Sequence, residues 1–243
     1  MNYGLYTAFL GMRARQRTLE VQANNIANAT TNGFKAERLN YSTIDAGTKA
    51  AGDKQNLIAA ASTSGAADLS AGTIRETGRS LDVAIEGDAF LQIQTPNGPR
   101  YTRAGNFTLD AAGQLVTQRG DLVVGSNGAI TVPQGGNLSI GTDGSLAMDG
   151  QQFDTLKLVR FDNPTAALLK EGDSMFMATG TEAPKEAITS KVMQGALEGS
   201  NVNAITEMVA MINNNREFDS LQKSMTLMMN DLGRRISSEI GKM

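Results

Sequence analysis

The side chains best suited to do chemistry in this sequence are carboxylates. Asp82, Glu86, Asp88 and Asp110 lie among short apolar runs, where strand alternation could set two of them on one face. Two carboxyl groups about 5 to 9 Å apart are what glycoside hydrolysis requires. Sequence does not supply that distance, and the aromatics that could bind a sugar are few: Phe90, Tyr101, Phe107 and Phe153. Asp143-Gly144 and Asp149-Gly150 raise calcium as a second chemistry. An EF-hand loop needs oxygen ligands at alternate positions and a glutamate at the twelfth, and a glycine-rich β-roll needs strict nonapeptide repeats. Neither pattern is present, so these aspartates read as turn residues. Histidine and cysteine are absent altogether, which removes the commonest general base, Ser-His and Cys-His pairs, disulfides and thiolate metal sites. The phosphate-cradling, dinucleotide, nucleophile-elbow and zinc-helix motifs are missing too. The expectation is therefore a non-enzyme with no cofactor, no metal and no small-molecule substrate.

The charge balance points the same way. Among 243 residues, 22 basic and 25 acidic side chains leave a net charge of −3, a poor match to a phosphate backbone, so no nucleic-acid partner is expected. No apolar run approaches the ~18 residues of a membrane span, so no membrane insertion is expected. Met1 to Arg17 lacks a basic start followed by an uncharged apolar core, which argues against a cleaved secretory signal. Tryptophan is absent and glycine abundant, with 26 residues, a profile of turn-rich β structure or an assembly subunit.

Two stretches at opposite ends carry helical spacing. Between Ser200 and Ile240, Ile205, Met208, Ile212, Phe218, Leu221, Met225, Met228, Leu232 and Ile236 recur at helical steps that paint one stripe. Ser200, with Asn201 and Asn203 behind it, supplies capping chemistry; Glu207 falls early and Arg234 and Arg235 late, as the helix dipole favours. Forty residues at ~1.5 Å each make a rod of roughly 60 Å, longer than a domain of this size usually holds inside itself. Methionine suits such a stripe as core, and equally as a surface that must fit non-equivalent neighbours. At the other end Leu5, Phe9, Met12, Gln16, Leu19, Ala23 and Ile26 alternate steps of four and three, a heptad-like seam. This helix should stop at Asn32-Gly33, with Phe34 folding back on its last turn. Asn24, Asn25 and Asn28, poor helix formers, either fray the helix end or hydrogen-bond a neighbouring chain. The two stripes predict helices that pair with each other.

Residues 45 to 73 hold little apolar surface and read as a mobile connector. From Ile74 to Glu198 the pattern is β. Leu81-Asp82-Val83-Ala84-Ile85, Phe90-Leu91-Gln92-Ile93 and Leu156-Lys157-Leu158-Val159 are strand-like, and Asn97-Gly98, Asn127-Gly128, Asp143-Gly144 and Asp149-Gly150 are tight-turn signals. The expected fold is an all-β central domain flanked by N- and C-terminal α-helices that pair as a coiled coil. Its divisions are an N-terminal helix at 1–34, a flexible connector at 35–73, an antiparallel β domain at 74–198 and a C-terminal helix at 199–243.

Four stretches then carry a family resemblance. Asn24-Asn25-Ile26-Ala27-Asn28-Ala29-Thr30-Thr31-Asn32-Gly33-Phe34-Lys35 resembles the N-terminal signature of flagellar rod, hook and hook-associated axial proteins. Leu81 to Gly87, Tyr101 to Phe107 and Leu197-Glu198-Gly199-Ser200-Asn201-Val202 are similar to further rod–hook motifs, in the family's order. The resemblance implies a structural subunit of the bacterial flagellar basal body, in the periplasmic rod. It would be exported by the flagellar type III apparatus without a cleaved signal, and would polymerise with itself and other rod subunits. Paired terminal helices would form the tube wall, with β domains outside. The short connector after Phe34 fits a proximal-rod member better than a distal-rod one. The match departs at Gly87-Asp88-Ala89-Phe90, where distal-rod and hook members prefer consecutive glycine and phenylalanine. The assembly surface is then expected to involve Leu5, Phe9, Met12, Leu19, Asn24, Asn25, Asn28, Gly33, Phe34, Ser200, Asn201, Val202, Ile205, Phe218, Leu221 and Met225. Alternatives are a distal-rod or hook subunit or, from another class, a secreted enzyme or adhesin with a β core and helical tails.

Overall fold

The computed structural model describes residues 3–45, 58–172, 174–187 and 189–240. They form two compact units. One takes residues 1–27, 37–66 and 203–243; the other takes 28–36 and 67–202.

The first unit is built on two helices, Tyr3–Ala27 and Ala204–Ile240. At 37 residues the second is a rod of roughly 55 Å. Its cap is Asn203, whose Oδ1 accepts the N–H groups of Ile205 and Thr206 at 3.1 and 3.2 Å. Ser200 does not cap this helix; its Oγ closes a small turn by accepting the Val202 N–H. The two helices pack against each other. Arg15 donates to Asn214 at 2.9 Å and pairs with Glu217 at 2.6 Å, and Asn214 donates to Gln22 at 2.9 Å. Residue numbers rise on one helix as they fall on the other, so the contacts run antiparallel. Strands Glu37–Asp45 and Ile58–Ala67 pair with each other inside the stretch where sparse apolar content suggests a connector.

The N-terminal helix ends at Ala27, before the Asn32-Gly33 stop that glycine chemistry predicts. The reason lies ten residues further on. The buried Asn25 amide accepts the Glu37 N–H at 2.9 Å and donates to the Glu37 carbonyl at 3.0 Å. Holding both groups of one peptide position brings the chain back beside the helix, and a turn closed by Thr31 N–H on the Asn28 carbonyl makes the exit.

The second unit is β apart from one short helix, Pro164–Ala167, and its described strands pair antiparallel. Strand Phe90–Thr95 is its centre, with Gly98–Thr102 and Leu122–Gly125 hydrogen-bonded to it and Leu158–Arg160 pairing at its start. The sheet continues outward through Met175–Ala178 to Leu168–Gly172 on one side and to Leu115–Val116 and Thr108–Leu109 on the other. A three-stranded meander (Leu138–Ile140, Ser145–Met148, Gln151–Thr155) and two ribbons complete the unit: Val83–Glu86 with Lys191–Gln194, and Ile74–Glu76 with Ala196–Glu198. All four predicted Gly turns join adjacent antiparallel strands. At Asp149-Gly150 both φ values are positive, 50° and 86°, the geometry a tight hairpin demands of its central pair.

Strand alternation divides the interior in two. Leu91 and Ile93 face the larger core with Val83, Phe107, Val123, Ile130, Leu146 and Leu156. Phe90 faces the other way, into a smaller cluster with Tyr101, Val159, Phe161 and Phe176. Its rings meet edge to face, with centroids 5.1 to 6.4 Å apart, the arrangement that ring quadrupoles favour.

Leu91→Ala should cost ~2–5 kcal/mol, because it removes apolar contact and leaves a cavity; urea unfolding checks this, and a loss within ~0.5 kcal/mol would mean the site collapses freely. A pH effect follows from Arg100 and Glu171, which form a bidentate ion pair. The Arg100 hydrogen bond holds the Glu171 carboxyl below its ordinary value of 4.5. A carboxyl lowered by folding stabilises fully above its unfolded pKa and loses that contribution as pH falls through the folded one. Thermal unfolding of wild type and Glu171→Gln should therefore differ most near neutrality and converge in acid.

Candidate functional site: a buried ion cluster and the exposed helical stripes

Three of the four motif stretches, distant in sequence, meet at one carboxylate, and the fourth, Leu81–Gly87, is tied to it through Arg103. Glu198 is 1% exposed. Its Oε1 accepts from Lys35 Nζ at 2.5 Å and from the Gly72 N–H at 2.9 Å, and its Oε2 from Arg103 Nη1 at 3.4 Å. Its main-chain carbonyl takes the Gly33 N–H at 2.8 Å. Lys35, wholly buried, also donates to the Ser70 carbonyl at 2.7 Å, and Arg103 to the Gly87 carbonyl at 2.7 Å. Arg103 lies over the Phe90 ring, 4.9 Å from its centre. The Leu81–Gly87 motif is tied in again where Val83 N–H donates to the Gly105 carbonyl at 3.0 Å.

Burial pushes both the Lys35 and the Arg103 pKa down, and the Glu198 charge opposes that push. Two buried cations therefore depend on one buried anion. Only glycine fits at position 33: φ is +65°, and a Cβ would overlap the backbone of Arg103 and Ala104. Phe34, predicted to fold onto the helix end, is instead buried under Lys170, whose Nζ sits 3.5 Å from the ring centre and donates to the Lys35 carbonyl at 2.8 Å. Asn201 accepts the Ala36 N–H at 2.8 Å and donates to the Asp68 carbonyl at 2.7 Å.

Of the carboxylates that could act in catalysis, Glu86 is exposed, and the aspartates make local contacts within the fold. Asp82 is buried, accepting from Thr77 Oγ1 at 2.7 Å with Arg79 at 3.6 Å. Asp110 accepts two N–H groups of its own turn, and Asp88 faces Ser190. Asp143 accepts from Ser145, and Asp149 accepts the Asn137 N–H.

The remaining expected residues lie on the helices. Phe218, Leu221 and Met225 are half-buried, as are Met12 and Leu19. The face of the N-terminal helix turned to its partner carries Gly11, Arg15 and Gln22, one position before Met12, Gln16 and Ala23. This offset leaves Phe9 45% exposed. On the C-terminal helix Ile205 is 76% exposed, and Met208, Val209 and Ile212 are about half exposed, at steps i, i+3, i+4 and i+7. Asn24 is exposed, and Asn28 and Val202 are half-buried. The side chains of Leu5, Leu232 and Ile236 lie outside the described residues.

Glu198→Gln, nearly isosteric, should cost ~3–5 kcal/mol, since it leaves buried cations without their counter-charge. On that background Lys35→Met should cost less than it does alone. A double-mutant cycle in urea reads this coupling; additive losses would show that the two charges act independently.

Comparison with known proteins agrees with this geometry. Residues 5–35 match the family of flagella basal body rod proteins, 84–148 the D1 domain of flagellar hook protein FlgE/F/G, and 193–232 the C-terminal region of flagellar basal body rod FlgEFG proteins. The chain is 36% identical over 225 residues to the flagellar basal-body rod protein FlgF of Rhizobium meliloti, with 91% of each chain covered. It is 34% identical over 245 residues to FlgF of Caulobacter vibrioides, covering 100% of this chain and 99% of that one. Against the rod protein FlgG of Bacillus subtilis it is 35% identical over 246 residues, covering 91% and 93%. Glu198, Lys35 and Arg103 fall in or beside the matched stretches and clamp them together, and the chain belongs to the flagellar basal-body rod protein family, as a structural rod subunit most like FlgF.

Proposed function

We propose that this subunit polymerises through its terminal helices, which pair as a coiled coil and dock on the helices of neighbouring subunits to form the rod wall. The observation that carries the reading is the apolar stripe Ile205, Met208, Val209 and Ile212, left in water on a capped, ordered helix. Each such side chain contributes roughly 1.5–3 kcal/mol when fully buried. A stripe of four on successive turns is a surface awaiting a partner. Phe9, Leu227, Met228 and Met229 extend the exposed apolar area along both helices.

Support for the coiled coil comes from spacing. Ala204, Glu207, Met211, Asn214, Phe218, Leu221 and Met225 are partly sheltered positions of the C-terminal helix that follow steps of three and four, with Ala210 sheltered beside them. In this division of labour, helices within 1–34 and 199–243 form the wall, residues 35–73 link, and the β domain at 74–198 lies outside. Partners are further copies and other rod subunits. Leu5, Phe9, Met12, Leu19, Ile205, Phe218, Leu221 and Met225 supply the helical interface, and the Asn24–Phe34 and Ser200–Val202 segments shape its approach. The reading extends to a proximal position in the periplasmic rod and to delivery through the flagellar type III apparatus without a cleaved signal.

Ile205→Asp is the test, because a side chain this exposed contributes little to the isolated fold. Its unfolding free energy should stay within ~0.5 kcal/mol of wild type, while incorporation into basal bodies, read by immunoblot of the purified structures, should be lost. Normal incorporation would sink the proposal.

A further inference from the structure

Twice in this chain an asparagine amide holds extended backbone by meeting its N–H and C=O groups. Asn25 holds Glu37 in this way, and Asn201 holds Ala36 and Asp68. A side-chain amide offers one acceptor and two donors, which complements a peptide group. Two further asparagines stand ready without such work. Asn32, from the N-terminal motif, and Asn106, from the Tyr101–Phe107 motif, line one cavity of about 320 Å³ in the β unit. Among the described residues neither side-chain amide has a hydrogen-bond partner, although the Asn106 main-chain carbonyl accepts from Gln118. Ser174 lines the same cavity. It is 3% exposed, its Oγ is unpartnered among the described residues, and its backbone is held at φ 58° with the carbonyl taking the Thr102 hydroxyl at 2.8 Å.

The rest of the lining selects the occupant. Buried Phe107 supplies an apolar wall, Thr30 and Thr117 add neutral hydroxyls, and among the described residues Arg119 is the one charged residue there. Neutral amides and hydroxyls around an apolar wall suit a polypeptide main chain with small side chains. At the low end of the ~300–1,000 Å³ range of ligand pockets, the volume admits a short extended segment and not a helix.

We propose that this cavity receives an extended main-chain segment of the adjacent rod subunit, with Asn32 and Asn106 each gripping a peptide group as Asn25 grips Glu37. The proposal rests on the assembly reading and adds to it a contact on the β unit, separate from the helical stripes.

The experiment places a benzophenone-bearing amino acid at Gln118, on the exposed rim, in the full-length chain. Basal bodies are isolated, irradiated, and the adduct is mapped by mass spectrometry. The expected result is a cross-link to a strand or loop of a neighbouring rod subunit. It should fall about tenfold or more in Asn32→Ala/Asn106→Ala, which removes both amides that hold the segment. That double variant should keep the wild-type unfolding midpoint. Basal bodies that contain the protein but yield no inter-subunit adduct would overturn the proposal and leave helix-driven assembly standing. An adduct undiminished in the double variant would overturn it as well. Protein absent from the basal bodies altogether would remove the assembly reading first.

Discussion

One buried carboxylate organises the β unit. Glu198 is shut away from water beside two cations, an arrangement that costs several kcal/mol per charge unless each is paired and hydrogen-bonded. Lys35, Arg103 and the Gly72 N–H provide that compensation. They come from a segment just after the N-terminal helix, from the turn into the aromatic cluster and from the approach to the first ribbon. The cluster therefore does what apolar packing cannot do: it specifies which segments meet. A hydrophobic core accepts many near-equivalent arrangements, whereas an anion held by two cations at fixed distances accepts few. Gly33 depends on the same contact, because the chain passes so close to Arg103 and Ala104 that no side chain fits.

The helical unit uses the opposite principle. Its cross-helix contacts include polar ones, Arg15 with Asn214 and Glu217 and Gln22 with Asn214, while much of its largest apolar area faces water. Polar contacts between helices fix register and orientation at modest gain in stability. Ile205, Met208 and Ile212 face outward, so their apolar area contributes little to the packing of the helical unit itself. Methionine at several of these places suits surfaces that meet neighbours at different offsets.

Local chemistry was legible in the sequence, and distant chemistry was not. The Asn-Gly and Asp-Gly hairpins were readable because a positive φ at the turn is decided by two adjacent residues. Both terminal helices showed in their spacing. The end of the first helix escaped, because what stops it is the Asn25 grip on Glu37, outside the window in which glycine reads as a stop. The helix face was read one position off, since the spacing of apolar residues gave no weight to Arg15 and Gln22, which make the contacts. Lys35, Arg103 and Glu198 escaped entirely: a lone charged residue is presumed exposed, and only their joint membership of the family-like motifs hinted that they share a place. The strands at 37–45 and 58–67 are rich in small and polar residues, so their pairing leaves little apolar alternation to find.

The separation of Lys35 from Glu198, 163 positions along the chain, also has a temporal side. A polypeptide appears at a ribosome from its amino end onward, so the lysine is present long before its carboxylate. Until the strand that carries Glu198 has emerged, Lys35 and Arg103 lack that counter-charge, whereas local pairs such as Phe90–Thr95 with Gly98–Thr102 need nothing from it, because long-range contacts must await the last segment that makes them. The charge cluster is thus the part of the β unit that is completed late, after the local hairpins, when Glu198 arrives to join cations made long before it.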